Sequence, residues 1–177
     1  MRKLLTLAGL VMALAALAGC GGSDSDSTAA EATTGGSGEA LTKAEFIEQA
    51  DAICEDHASE REELQEQAAE LAEEVNAGDD QAREELADLL SEASGNAETE
   101  YAELHDLIPP SSDASLIGNM LSTADDQVGL TEEAVDALRE EDYKTFSALT
   151  VETGKLKAKA TAIAVGYGLK VCGTESE

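Results

Sequence analysis

Basic residues are scarce in this chain. Eleven lysines and arginines stand against 38 aspartates and glutamates, a net charge of −27 over 177 residues. That balance argues against nucleic acid as a partner, because phosphate backbones are held by basic surfaces. It also argues against adsorption of the domain as a whole to anionic lipid. A long hydrophobic run is missing too. The apolar stretch from Leu4 to Leu17 has 14 residues, short of the about 20 that cross a bilayer as a helix. Strand-like alternation of apolar and polar residues is absent, which points away from sheet folds. So are a phosphate loop, a dinucleotide fingerprint, a nucleophile elbow and a His-Glu-x-x-His pair. The expectation is therefore a non-enzymatic protein with no cofactor. Only two prolines occur, side by side at Pro109 and Pro110, leaving the rest of the chain free to be helical.

The first forty residues carry an address. Met1-Arg2-Lys3 is a short positive segment, the apolar run follows, and Leu17-Ala18-Gly19-Cys20 closes it with small residues. A charged start, a short apolar stretch and small residues at a cut site make a secretory signal. The last four residues resemble the lipobox of bacterial lipoproteins. That resemblance implies lipid transfer to the Cys20 thiol, cleavage before Cys20 and acylation of the new amino group. Stable anchoring takes more than one acyl chain, in keeping with that chemistry. The expected location is the extracytoplasmic face of the cell membrane, with the lipid bilayer as first partner. Residues 1–19 read as signal peptide, 20–40 as lipidated cysteine plus linker, and 41–177 as the domain. The linker, rich in Gly, Ser, Asp and Thr, buries nothing and spans about 25 Å on average. Its Asp24-Ser25-Asp26 run lacks the glycine and glutamate that complete a calcium loop. Cleavage removes Arg2 and Lys3 and no acid, so the net charge moves from −27 to −29.

Two cysteines remain after lipidation, Cys54 and Cys172. Export places them in an oxidising compartment, where a disulfide is the default.

Four amphipathic helices account for the domain. Thr42-Lys43-Ala44-Glu45 has the capping-box pattern, and Ile47, Ala50, Cys54, His57, Arg61, Leu64, Leu71 and Val75 continue one stripe to Asn76-Ala77-Gly78. A second helix starts at Asp79 or Asp80 and stops at Pro109-Pro110, with Ser94-Gly95-Asn96 as a weak point. A third starts near Ser112. Asp142 caps a fourth, which Gly166 and Gly168 close. Short loops between them predict an all-α fold, an antiparallel up-down-up-down four-helix bundle. Measured from the same bundle end, Cys54 and Cys172 fall within about 10 Å along the axis if both legs are fully helical. A reversal at Gly166-Tyr167-Gly168 brings the two sulfurs together.

The segments Thr42-Lys43-Ala44-Glu45-Phe46-Ile47-Glu48-Gln49-Ala50-Asp51-Ala52-Ile53-Cys54 and Tyr167-Gly168-Leu169-Lys170-Val171-Cys172-Gly173 resemble the domain ends of a group of small, uncharacterised actinobacterial lipoproteins. Those share a lipobox, a Gly/Ser linker and a helical domain with an early and a late cysteine. The resemblance implies the architecture and supplies no activity.

Candidate site residues are few. His57 and Arg61 interrupt the apolar stripe of the first helix, and Tyr101, His105 and Tyr167 lie at a similar height. Together they form either a polar layer that binds a small ligand or a layer in which Arg61 pairs with a carboxylate and Tyr101 reaches an imidazole. No metal site is expected: neither histidine follows a glutamate by three, as di-iron bundles require, and Cys54-x-x-His57 binds zinc only if Cys54 is reduced. Lys155, Lys157, Lys159 and Lys170 form a basic strip late in the fourth helix, suited to docking or to screening neighbouring acids. The expected role is a helical interaction or spacer module at the cell surface, serving an unidentified protein or small ligand. The alternative is an extracytoplasmic binder of a cation or small ligand.

Overall fold

A computed structural model describes residues 38–172. The expected signal peptide, Cys20 and the expected linker up to residue 37 lie outside the described residues, as do residues 173–177. Five helices follow one another: α1 Lys43–Asp56, α2 Ala58–Asn76, α3 Asp80–His105, α4 Ala114–Arg139 and α5 Tyr143–Tyr167. No strand occurs among the described residues, in line with the all-α expectation.

Local chemistry sets the helix ends. The Thr42 hydroxyl accepts the Glu45 N–H at 3.3 Å while the Glu45 carboxylate accepts the Thr42 N–H at 2.8 Å, so the capping box is closed. Hydrogen bonds from Thr42 hold the Glu45 carboxyl below its ordinary range. Asp79 accepts from the N–H groups of Gln81 and Ala82 at the start of α3. Asp142 accepts from Thr145 at the start of α5 and is likewise shifted down by those bonds. Gly78 (φ 92°) and Gly168 (φ 114°) supply the left-handed turns after α2 and α5. Gly166 stays within α5, and the chain reverses at Gly168.

The first expected helix is two. At His57 the ladder loosens, with His57 N–H to Ile53 oxygen at 3.3 Å and Arg61 N–H to His57 oxygen at 3.2 Å. The cause is burial against different partners. Phe46, Ala50 and Cys54 of α1 belong to a core shared with Leu104, Ile117, Leu121 and Tyr167. Ala68, Leu71 and Val75 of α2 pack instead on Leu86, Ala87, Val135 and Leu138. A periodic stripe in the sequence does not register that change of partner. The weak point at Ser94-Gly95-Asn96 does not break α3. That helix lies between α2 and α4, and packing on both sides outweighs the about 1 kcal/mol that a helical glycine costs.

Neighbours pack in chain order: α2 on α3, α3 on α4, α4 on α5, with α1 against α2 and α3. Among the described residues, α5 has α4 as its one close helix neighbour. Its last turn nevertheless meets α1 through side chains. The Phe46 and Tyr167 rings stand edge to face at 5.9 Å, and the Lys43 ammonium sits 4.2 Å from the Tyr167 ring centre. The Tyr167 hydroxyl donates to Asp113 at 2.9 Å.

Cys54 and Cys172 form a disulfide with Cα atoms 5.3 Å apart, joining residues 118 positions apart in sequence. Asp51 completes that corner, its carboxylate accepting the consecutive N–H groups of Lys170, Val171 and Cys172 at 2.9, 2.9 and 3.3 Å. At the opposite end, Glu141 turns the chain between α4 and α5 with φ 60°, a left-handed value held by no other non-glycine among the described residues. Arg83 of α3 forms an ion pair with its carboxylate at 2.6 Å, and that close carboxylate holds the guanidinium in its charged form still more firmly than usual.

Candidate functional site

The polar residues of the α1–α2 junction face the C-terminal half of α3. Each finds an acid of its own. Arg61 Nη1 lies 2.6 Å from the Glu100 carboxylate, and its Nη2 reaches back toward the Cys54 carbonyl at 3.4 Å. His57 Nε2 stands 3.6 Å from the Glu103 carboxylate, an ion pair when the imidazole is protonated and too long for a hydrogen bond. His105 turns the other way, to Asp125 of α4 at 3.1 Å. Tyr101 packs against the core around the disulfide.

The two histidines therefore serve different helix pairs. His57 and Arg61 face α3, His105 faces α4, and Tyr101 and Tyr167 pack in the core, so the polar residues read from the sequence divide between two seams and the core. The pairing of Arg61 with a carboxylate is present in the layer. The imidazole of His105 bonds Asp125 rather than closing on Tyr101.

Glu100 is the unusual group. It is 8% exposed, and burial pushes its carboxyl above the ordinary value although Arg61 and His57 pull it down. A 2.6 Å partner alone lowers a carboxyl; here desolvation wins, because Arg61 itself is 43% exposed and its charge is partly screened by water. Burial, with the Glu100 charge adding to it, also raises the Tyr101 phenol.

Glu100 fits the apolar stripe by position: Ala97, Glu100 and Leu104 step by three and four. A carboxylate on that stripe is the sequence signal for it, and Tyr101 next door masks the signal. Glu103 and Asp125 carry no such mark, since exposed acids are everywhere in this chain.

An open cleft of about 260 Å³ lies elsewhere, between α3 and α4, lined by Ser91, Ser94, Glu132, Val135, Asp136 and Arg139. Arg139 is held by Asp88 at 2.9 Å and by the Ser91 hydroxyl at 3.2 Å. The Ser94 hydroxyl is buried without a protein partner. Ser94 lies on none of the helical stripes in the sequence, and the second buried face of α3 explains why.

Among the described residues, no group of three or more His, Cys, Asp or Glu side chains is placed to hold a metal ion. The disulfide engages the Cys54 sulfur, leaving no thiolate to join His57 on zinc. No helix of the described residues is long and apolar enough to cross a membrane. Comparison of the chain with protein-family models, with curated proteins and with solved structures yields no match.

Proposed function

We propose that this chain is a lipoprotein anchored through acylated Cys20 to the extracytoplasmic face of the cell membrane, where its helical domain serves as a non-enzymatic interaction or spacer module. The carrying observation is the Cys54–Cys172 disulfide. Such bonds persist in oxidising compartments outside the cytoplasm, which agrees with export by the Met1–Cys20 segment and its lipobox. We read α1 and α2 as one broken leg of an antiparallel up-down-up-down four-helix bundle, a reading supported by the packing of neighbours in chain order. An early and a late cysteine are also what the resemblance of the domain ends to actinobacterial lipoproteins implies. Arg61, His57 and His105 each have an acid beside them, an arrangement suited to holding helices together. Labelled palmitate entering the wild-type protein but not Cys20→Ser, with membrane retention lost in the variant, is the expected result. Mature protein that begins at another residue and washes free of membranes overturns the reading.

A second reading is an extracytoplasmic binder of a cation or small ligand, and the buried Glu100 carboxylate beside His57 and Arg61 favours it. Calorimetric titration with divalent cations and small metabolites separates the two. Saturable binding lost in Glu100→Gln supports the binder, and no heat from any of these ligands removes it.

A further inference from the structure

α5 differs from the other helices in charge. Each of α1 to α4 carries one basic residue (Lys43, Arg61, Arg83, Arg139) against at least five acids. From Tyr143 to Cys172 the balance inverts, with five lysines and a single acid, Glu152. The helix also has an outward side. At 100° per residue, Lys144, Ala148, Val151, Lys155, Ala158, Lys159, Ala162 and Val165 share one face. All are exposed, Val151 by 58% and Val165 by 53%. The face runs about 32 Å. It carries no acid; Glu152 sits at its edge, 2.8 Å from the Lys155 ammonium.

Position adds a second argument. The C-terminal end of α5 lies against the first turn of α1, through Phe46 and Lys43 on Tyr167. A tether running from Cys20 joins the domain at that end.

We infer that this face of α5 rests on the anionic headgroups of the bilayer that holds Cys20, an inference that depends on the lipid-anchor reading. The net charge opposes adsorption of the domain as a whole, but a segregated charge does not act as its average. Acidic helices are repelled by a phosphate surface, and the one basic face is drawn to it, so the same field orients the domain. Lysine stems reach past the valines to phosphates. The face lacks the Trp, Tyr or Arg anchors that carry most protein interfaces, which favours a lipid surface over an acidic protein. Three lysines hold a free domain weakly, whereas a tether makes the contact intramolecular.

The test uses the lipidated full chain in phosphatidylglycerol/phosphatidylcholine vesicles and in phosphatidylcholine vesicles, with a water-soluble amine reagent and peptide mass spectrometry. Lys144, Lys155 and Lys159 are expected to react about five-fold more slowly on the anionic vesicles, and the difference closes in about 1 M salt. Val151→Asp/Val165→Asp, both at exposed positions, is expected to restore the rates; continued protection in that variant overturns the assignment of this face. A chain that floats with the vesicles while its α5 lysines react equally on both lipids overturns the contact alone. A chain that does not float overturns the anchor and the contact with it. Protection seen only in native membranes overturns lipid in favour of an acidic protein.

Discussion

Asp51 accepts the backbone N–H of Cys172 three residues before Cys54 takes its sulfur. One turn of α1 thus holds the end of the domain twice, once by a carboxylate and once by a covalent bond. Asp51→Ala removes the acceptor for three N–H groups and is expected to destabilise the domain by about 2 kcal/mol, measured by urea unfolding. The same variant should lose its disulfide faster to dithiothreitol. Reduction of the wild-type chain frees a 118-residue separation, worth about 5 kcal/mol in the chain-entropy account. Unfolding curves with and without reductant measure that directly.

The Arg61–Glu100 pair predicts a pH dependence with a definite sign. Burial holds the Glu100 carboxyl above its ordinary value, so the folded chain keeps that proton where the unfolded chain has released it. The charged form weakens the fold above the folded value, and the weakening is relieved as pH falls through it toward the ordinary carboxylate range. Arg61→Ala removes a group that offsets the burial. Its loss of about 1 kcal/mol at neutral pH, discounted for the exposure of Arg61, is expected to shrink toward about pH 4. Urea midpoints across that range check it, and a constant difference refutes it.

At the α4–α5 turn, Glu141 combines a left-handed backbone with a salt bridge to Arg83. Glu141→Ala keeps the unfavourable φ and loses the pair. Glu141→Gly loses the pair and relieves the backbone, so it is expected to be the more stable of the two by about 1 kcal/mol. Thermal melts of both variants decide; an alanine variant as stable as the glycine one means the φ carries no strain.

Tyr167 is pushed up to about 12, first by burial and then by its hydrogen bond to Asp113. The folded chain holds this phenolic proton where the unfolded chain loses it, so the contribution to stability is full below about pH 10 and is lost as pH rises toward the folded value. In a spectrophotometric titration one tyrosine should ionise near pH 12 and be absent from Tyr167→Phe, which is expected to be about 1 kcal/mol less stable.

Much of the fold is legible in the chain because helix periodicity, caps and glycine turns are local properties. Thr42 with Glu45, Asp142 before α5 and Gly168 after it do in the structure what short-range chemistry requires. The Cys54–Cys172 pairing is legible by elimination, since two cysteines remain once Cys20 is assigned to lipid. The break at His57 is not legible, because it arises from a change of packing partner that leaves the stripe intact. Arg83, Ser94 and Glu100 are buried against expectation for a related reason. α3 has neighbours on two sides, and a periodic reading follows only the apolar one. The polar layer is half legible. His57 and Arg61 mark themselves by interrupting an apolar stripe, but their acids are hidden among dozens of similar residues.

The disulfide also decides how the domain answers to pulling. Tension applied between the two ends of the chain enters α1 from Leu41 and leaves past Cys172 through the sulfur bridge, bypassing α2 to α5. A stretched oxidised chain can lengthen only by the short stretch of α1 ahead of Cys54 and its flanking tails. A reduced one unravels along its whole length, so the redox state of one bond sets its mechanical extensibility.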